Sequence, residues 1–129
     1  EPPAAPARDS AVTLLAALQR ESRLVDLIHE DLASYSDAQV GAAARPCLQQ
    51  CRGVLARLLA IKPLTDAAEG DTLSVPDGAS PQAYQWIGES SAASGKLVHH
   101  GWKATDVNLP TWSGDAKDAD VIAPAQVQA

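Results

Sequence analysis

The chain has 129 residues, with sixteen Asp and Glu against ten Lys and Arg, a net charge of −6, and a hydrophobic fraction of 46%. One domain is the expectation at this length. The absence of clustered Lys and Arg argues against a nucleic-acid surface and against binding to an anionic membrane. No window reaches the roughly 18 apolar residues of a membrane span.

The apolar fraction is unusual in kind. There is no Phe and no Met, but there are three Trp and two Tyr. Alanine-rich helices packed closely together, with an aliphatic core and Trp as large plugs, are the natural consequence. Charge is also unevenly spread: residues 1–62 are balanced, and residues 63–129 carry the whole net negative charge.

Residues 1–9 open as EPPAAPAR and read as an extended linker, because Pro at this density builds neither helix nor ladder. Together with the initial Glu1, this leads us to expect a preceding segment in a longer protein. Residues 10–129 are expected to form a single α+β domain, helical over 10–62 and mainly strands and loops over 63–129. Asp9 or Ser10 is the expected cap of a first helix through Leu14, Leu15 and Leu18. The charged Arg20–Arg23 stretch is a place for a break or bend. Helical spacing resumes from Leu24 to Tyr35.

Ser36-Asp37-Ala38-Gln39 is a capping-box sequence, with Asp37 favourably placed against the positive helix end. The helix it opens carries Val40, Ala44, Cys47, Cys51, Leu55 and Leu58 at steps of three and four, on one stripe. Leu24, Leu27, Ile28 and Leu32 of the preceding helix, with a small sheet from the second half, are expected to cover that stripe. Pro46 predicts a kink near Ala42–Arg45 or a restart, and Pro63 closes the helical run.

Punctuation then changes. Thr72–Val75 reads as a strand stopped by the turn Pro76-Asp77-Gly78. Ala83–Gly88 is a second candidate strand and Glu89–Gly95 a loop. Lys96–Leu109 is the longest strand-like run, with a bulge or close approach at Gly101. Val121–Val127 reads as a final edge strand, since Pro124 cannot donate to a ladder. The expected fold is α+β: an N-terminal hairpin of two to three helices packed on a small antiparallel sheet of three to five strands.

Four constellations carry possible chemistry. His29 and Glu30, with Asp26 one turn earlier, could form an acid–base pair or a weak divalent site, but an ordinary solvated helix face is the simpler account. Cys47 and Cys51 could be two metal thiolates completed by His99 and His100, yet both fall on the apolar stripe, where a thiol acts as a small hydrophobe. His99 and His100 are neighbours on a strand and should point to opposite faces, one half-buried beside Trp102. Trp112, between Pro110 and Gly114, is the tryptophan expected at the surface and so the candidate contact residue. No nucleophile elbow, phosphate loop or dinucleotide fingerprint is present.

Leu14–Arg45, Lys96–Pro110 (KLVHHGWKATDVNLP) and Val121–Ala129 (VIAPAQVQA) together resemble a bacterial family of uncharacterised proteins, a domain of unknown function. The resemblance implies no catalytic residues. It does imply an extra N-terminal segment before a Pro/Ala linker, and an association with Hsp70-type chaperones. The resulting expectation is a cytoplasmic, non-catalytic interaction or adaptor domain with a protein partner and without cofactor or metal. The alternative is a small metal-dependent or hydrolytic enzyme using His29, Glu30 and His99 or His100. A third class is a structural domain forming homo-oligomers.

Overall fold

Asp9 sets the start of the first helix, α1 (Ser10–Ser22), its carboxylate accepting from the Ala11 N–H at 2.8 Å and satisfying one of the donors a helix start leaves open. The computed structural model describes residues 8–88 and 93–129. Apart from Arg8 and Asp9, the expected linker lies outside the described residues. α1 ends at Arg23, which takes a left-handed conformation (φ 61°) with its N–H on the Gln19 carbonyl at 3.0 Å. The break expected within Arg20–Arg23 therefore falls on its last residue.

The short helix α2 (Leu24–Ile28) is capped by a side chain from the helix before it. Gln19 is buried, and its Oε1 accepts from the Val25 and Asp26 N–H groups at 3.0 and 3.2 Å. Arg23 Nε stands 2.8 Å from Asp26 Oδ2. Hydrogen bonding from the Gln19 side chain, and then the Arg23 guanidinium, outweigh desolvation and hold the Asp26 carboxyl below its ordinary range.

The helix expected over Leu24–Tyr35 thus stops at Ile28, and a 3-10 turn at Leu32–Ser34 follows. After Ile28 the backbone bonds tighten to three-residue steps, His29 and Glu30 donating to the Asp26 and Leu27 carbonyls at 3.2 Å, and Ser34 Oγ donates to Asp31 Oδ2 at 2.6 Å. Ile28 and Leu32 are left exposed, so they do not cover the stripe as expected.

Ser36 and Gln39 form the full capping box, each side chain bonded to the other's backbone N–H. The helix they open, α3, runs unbroken from Asp37 to Leu59 through Pro46, without the restart that Pro46 suggested. It ends on Ala60, again left-handed (φ 46°). Cys47, Cys51, Val54 and Leu58 are its buried positions. The observed steps of four, three and four put Val54, rather than Leu55, on the inner seam.

The chain divides into two compact units, Glu1–Ala60 with Asp106–Ala129, and Ile61–Thr105. In the first, Ala17 and Leu18 of α1 pack on Cys47, Cys51, Val54 and Leu58, with Leu24, Leu27 and Leu109 at the margin. The cover over the α3 seam therefore comes mainly from α1. Alanine at position 17 allows close helix approach, and Glu21 pairs with Arg57 across the two helices. After Asp106 the chain returns to the end of α3, where Asp106 and Asn108 donate to the Leu59 and Leu58 carbonyls at 3.3 and 2.7 Å. Val121–Val127 forms no strand. A 3-10 turn at Ala116–Asp118 precedes it, and Arg8 holds the Val121 carbonyl at 2.9 Å.

Among the described residues the second unit has four three-residue strands: β1 (Ile61–Pro63), β2 (Thr72–Ser74), β3 (Ser94–Lys96) and β4 (Trp102–Ala104). They pair as two separate antiparallel ladders, β1 with β4 (Ile61 opposite Ala104) and β2 with β3 (Thr72 opposite Lys96), in place of one continuous sheet. Ala83–Gly88 is not a strand. Its start is drawn into a turn in which Ala83 and Tyr84 both donate to the Ser80 carbonyl at 3.0 Å. The turn at Pro76–Gly78 forms as read, closed by Ala79 N–H on the Pro76 carbonyl. Of the expected loop Glu89–Gly95, residues 89–92 lie outside the described residues, and Ser94 and Gly95 belong to β3.

Candidate functional site

The run expected as one long strand, Lys96–Leu109, serves two ladders in succession. Leu97 extends the β2–β3 ladder, donating to the Asp71 carbonyl at 2.8 Å and accepting from Gly70 N–H at 2.7 Å. His100 and Gly101 extend the β1–β4 ladder, their carbonyls accepting from Thr65 and Leu64 at 3.2 and 3.1 Å. Between these anchors the backbone must turn. Gly101 makes the turn with φ +69°, and a Cβ there would stand 3.1 Å from Leu64 Cβ. The close approach expected at Gly101 is present.

That turn overrides strand alternation. His99 and His100, expected on opposite faces, stack with ring centroids 4.6 Å apart. Trp102 meets the edge of His100 at 4.6 Å and lies 6.3 Å from His99. His100 is the half-buried member and His99 the exposed one. Glu69 lies in the turn that leads into β2, closed by Asp71 N–H on the Ala68 carbonyl at 3.1 Å, and its Oε1 stands 3.8 Å from His100 Nε2.

Among the described residues, Glu69, His99 and His100 are the one group of three or more His, Cys, Asp or Glu whose ligand atoms converge, all within 4.8 Å. Glu69 carried no signal in the sequence. It stands in a turn, and only the fold brings that turn to the histidines.

The backbone fixes how these rings present their nitrogens. His100 Nδ1 lies 2.5 Å from the Gly101 carbonyl, so it is the donor there, and in the neutral ring Nε2 carries the lone pair. His99 Nδ1 accepts from Gly101 N–H at 3.0 Å. Both histidines also line a groove of about 620 Å³ within this unit, floored by Leu73, Val75 and Leu97 and flanked by Trp86 and Ile87. Ile87, Val98 and Trp102 are exposed to 77%, 62% and 61%, and Leu97 is the buried apolar residue of the unit.

The other candidates lie in the first unit. His29 and Glu30 fall after α2 has ended, so they share no helix face with Asp26. His29 Nδ1 is bonded to the Val25 carbonyl at 2.8 Å. Cys47 and Cys51 are both buried and unpaired by disulfide. Burial first, and the neighbouring Cys51 second, push the Cys47 thiol above its ordinary value. Trp112 is half-buried, with the Arg8 guanidinium 5.6 Å from its ring and Gly114 tight against the indole. Trp102, expected in the core, is the more open of the two.

Among the described residues no helix is long and apolar enough to cross a membrane. No curated protein and no solved structure matches the chain. One family profile matches residues 7–128, nearly the whole length, and the chain belongs to that family, DUF2760, a domain of unknown function.

Proposed function

We propose that this chain is a non-catalytic protein-interaction module, working in the bacterial cytoplasm as an accessory to an Hsp70-type chaperone. Its docking surface is the groove of the second unit, and the occupant is an extended apolar segment of the partner protein. One observation supports this reading above the others: Ile87, Val98 and Trp102 stand exposed beside an apolar groove whose unit, among the described residues, buries Leu97 alone of its apolar side chains. Apolar side chains gathered around a concavity are the usual mark of a contact surface. The groove borders two-stranded ladders, whose open edges accept an added strand. The chaperone as partner class comes from the family resemblance.

The test is binding of a purified Hsp70-type chaperone to the purified chain, measured by calorimetry. Saturable binding that weakens at least about tenfold in both Ile87→Ser and Trp102→Ser is expected. No binding, or binding indifferent to both substitutions, overturns the proposal.

A further inference from the structure

The geometry points to Glu69, His99 and His100 as a binding site for one borderline divalent cation of the Zn²⁺ class, a staple between the two ladders of the second unit. Three observations carry this. The ligand atoms of the three residues already lie within 4.8 Å of one another. Tetrahedral Zn²⁺ with ligands at about 2.1 Å sets them about 3.4 Å apart. Closing that gap asks for rotation of Glu69 and His99, both exposed, and leaves the buried Leu97 undisturbed.

The second observation is the proton arrangement. Donation from His100 Nδ1 to the Gly101 carbonyl leaves Nε2 with its lone pair toward Glu69. A ligating histidine commonly has such a backbone partner on its other nitrogen, fixing tautomer and ring angle. His99 holds its lone pair on Nδ1, where Gly101 N–H now points, and coordination exchanges that hydrogen bond for the ion with no change in proton count. Two imidazoles and one carboxylate favour Zn²⁺, Ni²⁺ or Cu²⁺ over Mg²⁺ or Ca²⁺, which take oxygen ligands. Three protein ligands leave a position for water.

The third observation is need. The second unit contains no cysteine, and Leu97 is its buried apolar residue. Units this small ordinarily require a disulfide, a metal or a partner to hold together. Glu69 precedes β2, while His99 and His100 lie between β3 and β4. An ion held by all three ties the end of one ladder to the end of the other.

The experiment uses the untagged chain, stripped with a chelator and titrated with ZnCl₂ by calorimetry and with CuCl₂ by tryptophan fluorescence. One Zn²⁺ per chain is expected, with affinity at least about tenfold lower in His100→Ala and in Glu69→Gln and unchanged in His29→Ala. Cu²⁺ should quench part of the emission. Trp102→Phe should still bind Zn²⁺ but lose that quenching, because Trp102 is the indole beside the site. Far-UV circular dichroism verifies that each variant is folded, and Glu69→Gln, altering an exposed side chain, is the variant to rely on should His100→Ala unfold. Binding below one ion per chain, binding unaffected by Glu69→Gln, or an equal loss in His29→Ala overturns the proposal. A Mg²⁺ or Ca²⁺ affinity matching that of Zn²⁺ overturns it as well.

Discussion

The thiol of Cys51 donates to the hydroxyl of Ser22 across 3.2 Å, and that hydroxyl donates in turn to the Leu18 carbonyl at 2.5 Å. A sulfur of α3 is thereby tied to the last turn of α1. Both partners are buried, and Cys47 sits one helical turn away in the same seam.

Those thiols should be inert in the folded chain. Reaction with a small disulfide reagent at pH 8 should run about a hundredfold or more slower than in the urea-unfolded chain, since a buried thiol reacts only after opening. Rapid labelling of either cysteine under native conditions would contradict the packing described here.

The raised Cys47 value has a consequence for stability in alkali. The unfolded thiol ionises near about 8.5, while the folded one stays protonated to higher pH. Below the unfolded value both states hold the proton and stability does not change with this group. Above it the unfolded chain binds fewer protons, so stability falls as pH rises toward the folded value. Urea midpoints measured from pH 7 to 10 should fall above about 8.5, and by less in Cys47→Ala.

The two ends of α3 respond in opposite directions. Ser36→Ala removes the acceptor for Gln39 N–H and should cost about 1 kcal/mol. Ala60→Gly relieves a left-handed residue at the other end and should gain about 0.5–1 kcal/mol. Chemical denaturation of the two variants reads both signs.

Val54 is 1% exposed at the centre of the helical seam. Val54→Ala should cost about 2 kcal/mol, through lost burial and the cavity left behind. Leu48→Ala, on the exposed side of the same helix, should change stability by less than about 0.5 kcal/mol.

Gly101→Ala places a Cβ against Leu64 at a left-handed position and should cost about 1–2 kcal/mol. Hydrogen exchange should localise that loss to the Leu64 and Thr65 amides, which bond to Gly101 and His100. Uniform loss across α1 and α3 would contradict it.

The local signals of the sequence were legible where chemistry is local. The capping box at Ser36, the cap at Asp9, the break at Arg23 and the turn at Pro76–Gly78 each depend on neighbours within a few residues. The burial of Cys47 and Cys51 followed from helical period alone. What period could not give was the pairing of distant segments. The thin ladders show little alternation, so the sequence alone suggests one continuous sheet, a strand at Ala83–Gly88, and His99 and His100 on opposite faces. Glu69 gives no local signal either, since it stands in the Ala68–Asp71 turn and only the pairing of Gly70 and Asp71 with Leu97 brings that turn to the histidines. Trp112 was singled out for its Pro and Gly neighbours, and Arg8, distant in sequence, half-covers it.

Leu58 and Leu59 receive the returning chain at Asn108 and Asp106, while Ile61 pairs with Ala104. The polypeptide thus departs from the helices and re-enters them through a single doorway. In chain order residues 61–105 are therefore an insertion, flanked on both sides by segments of the first unit.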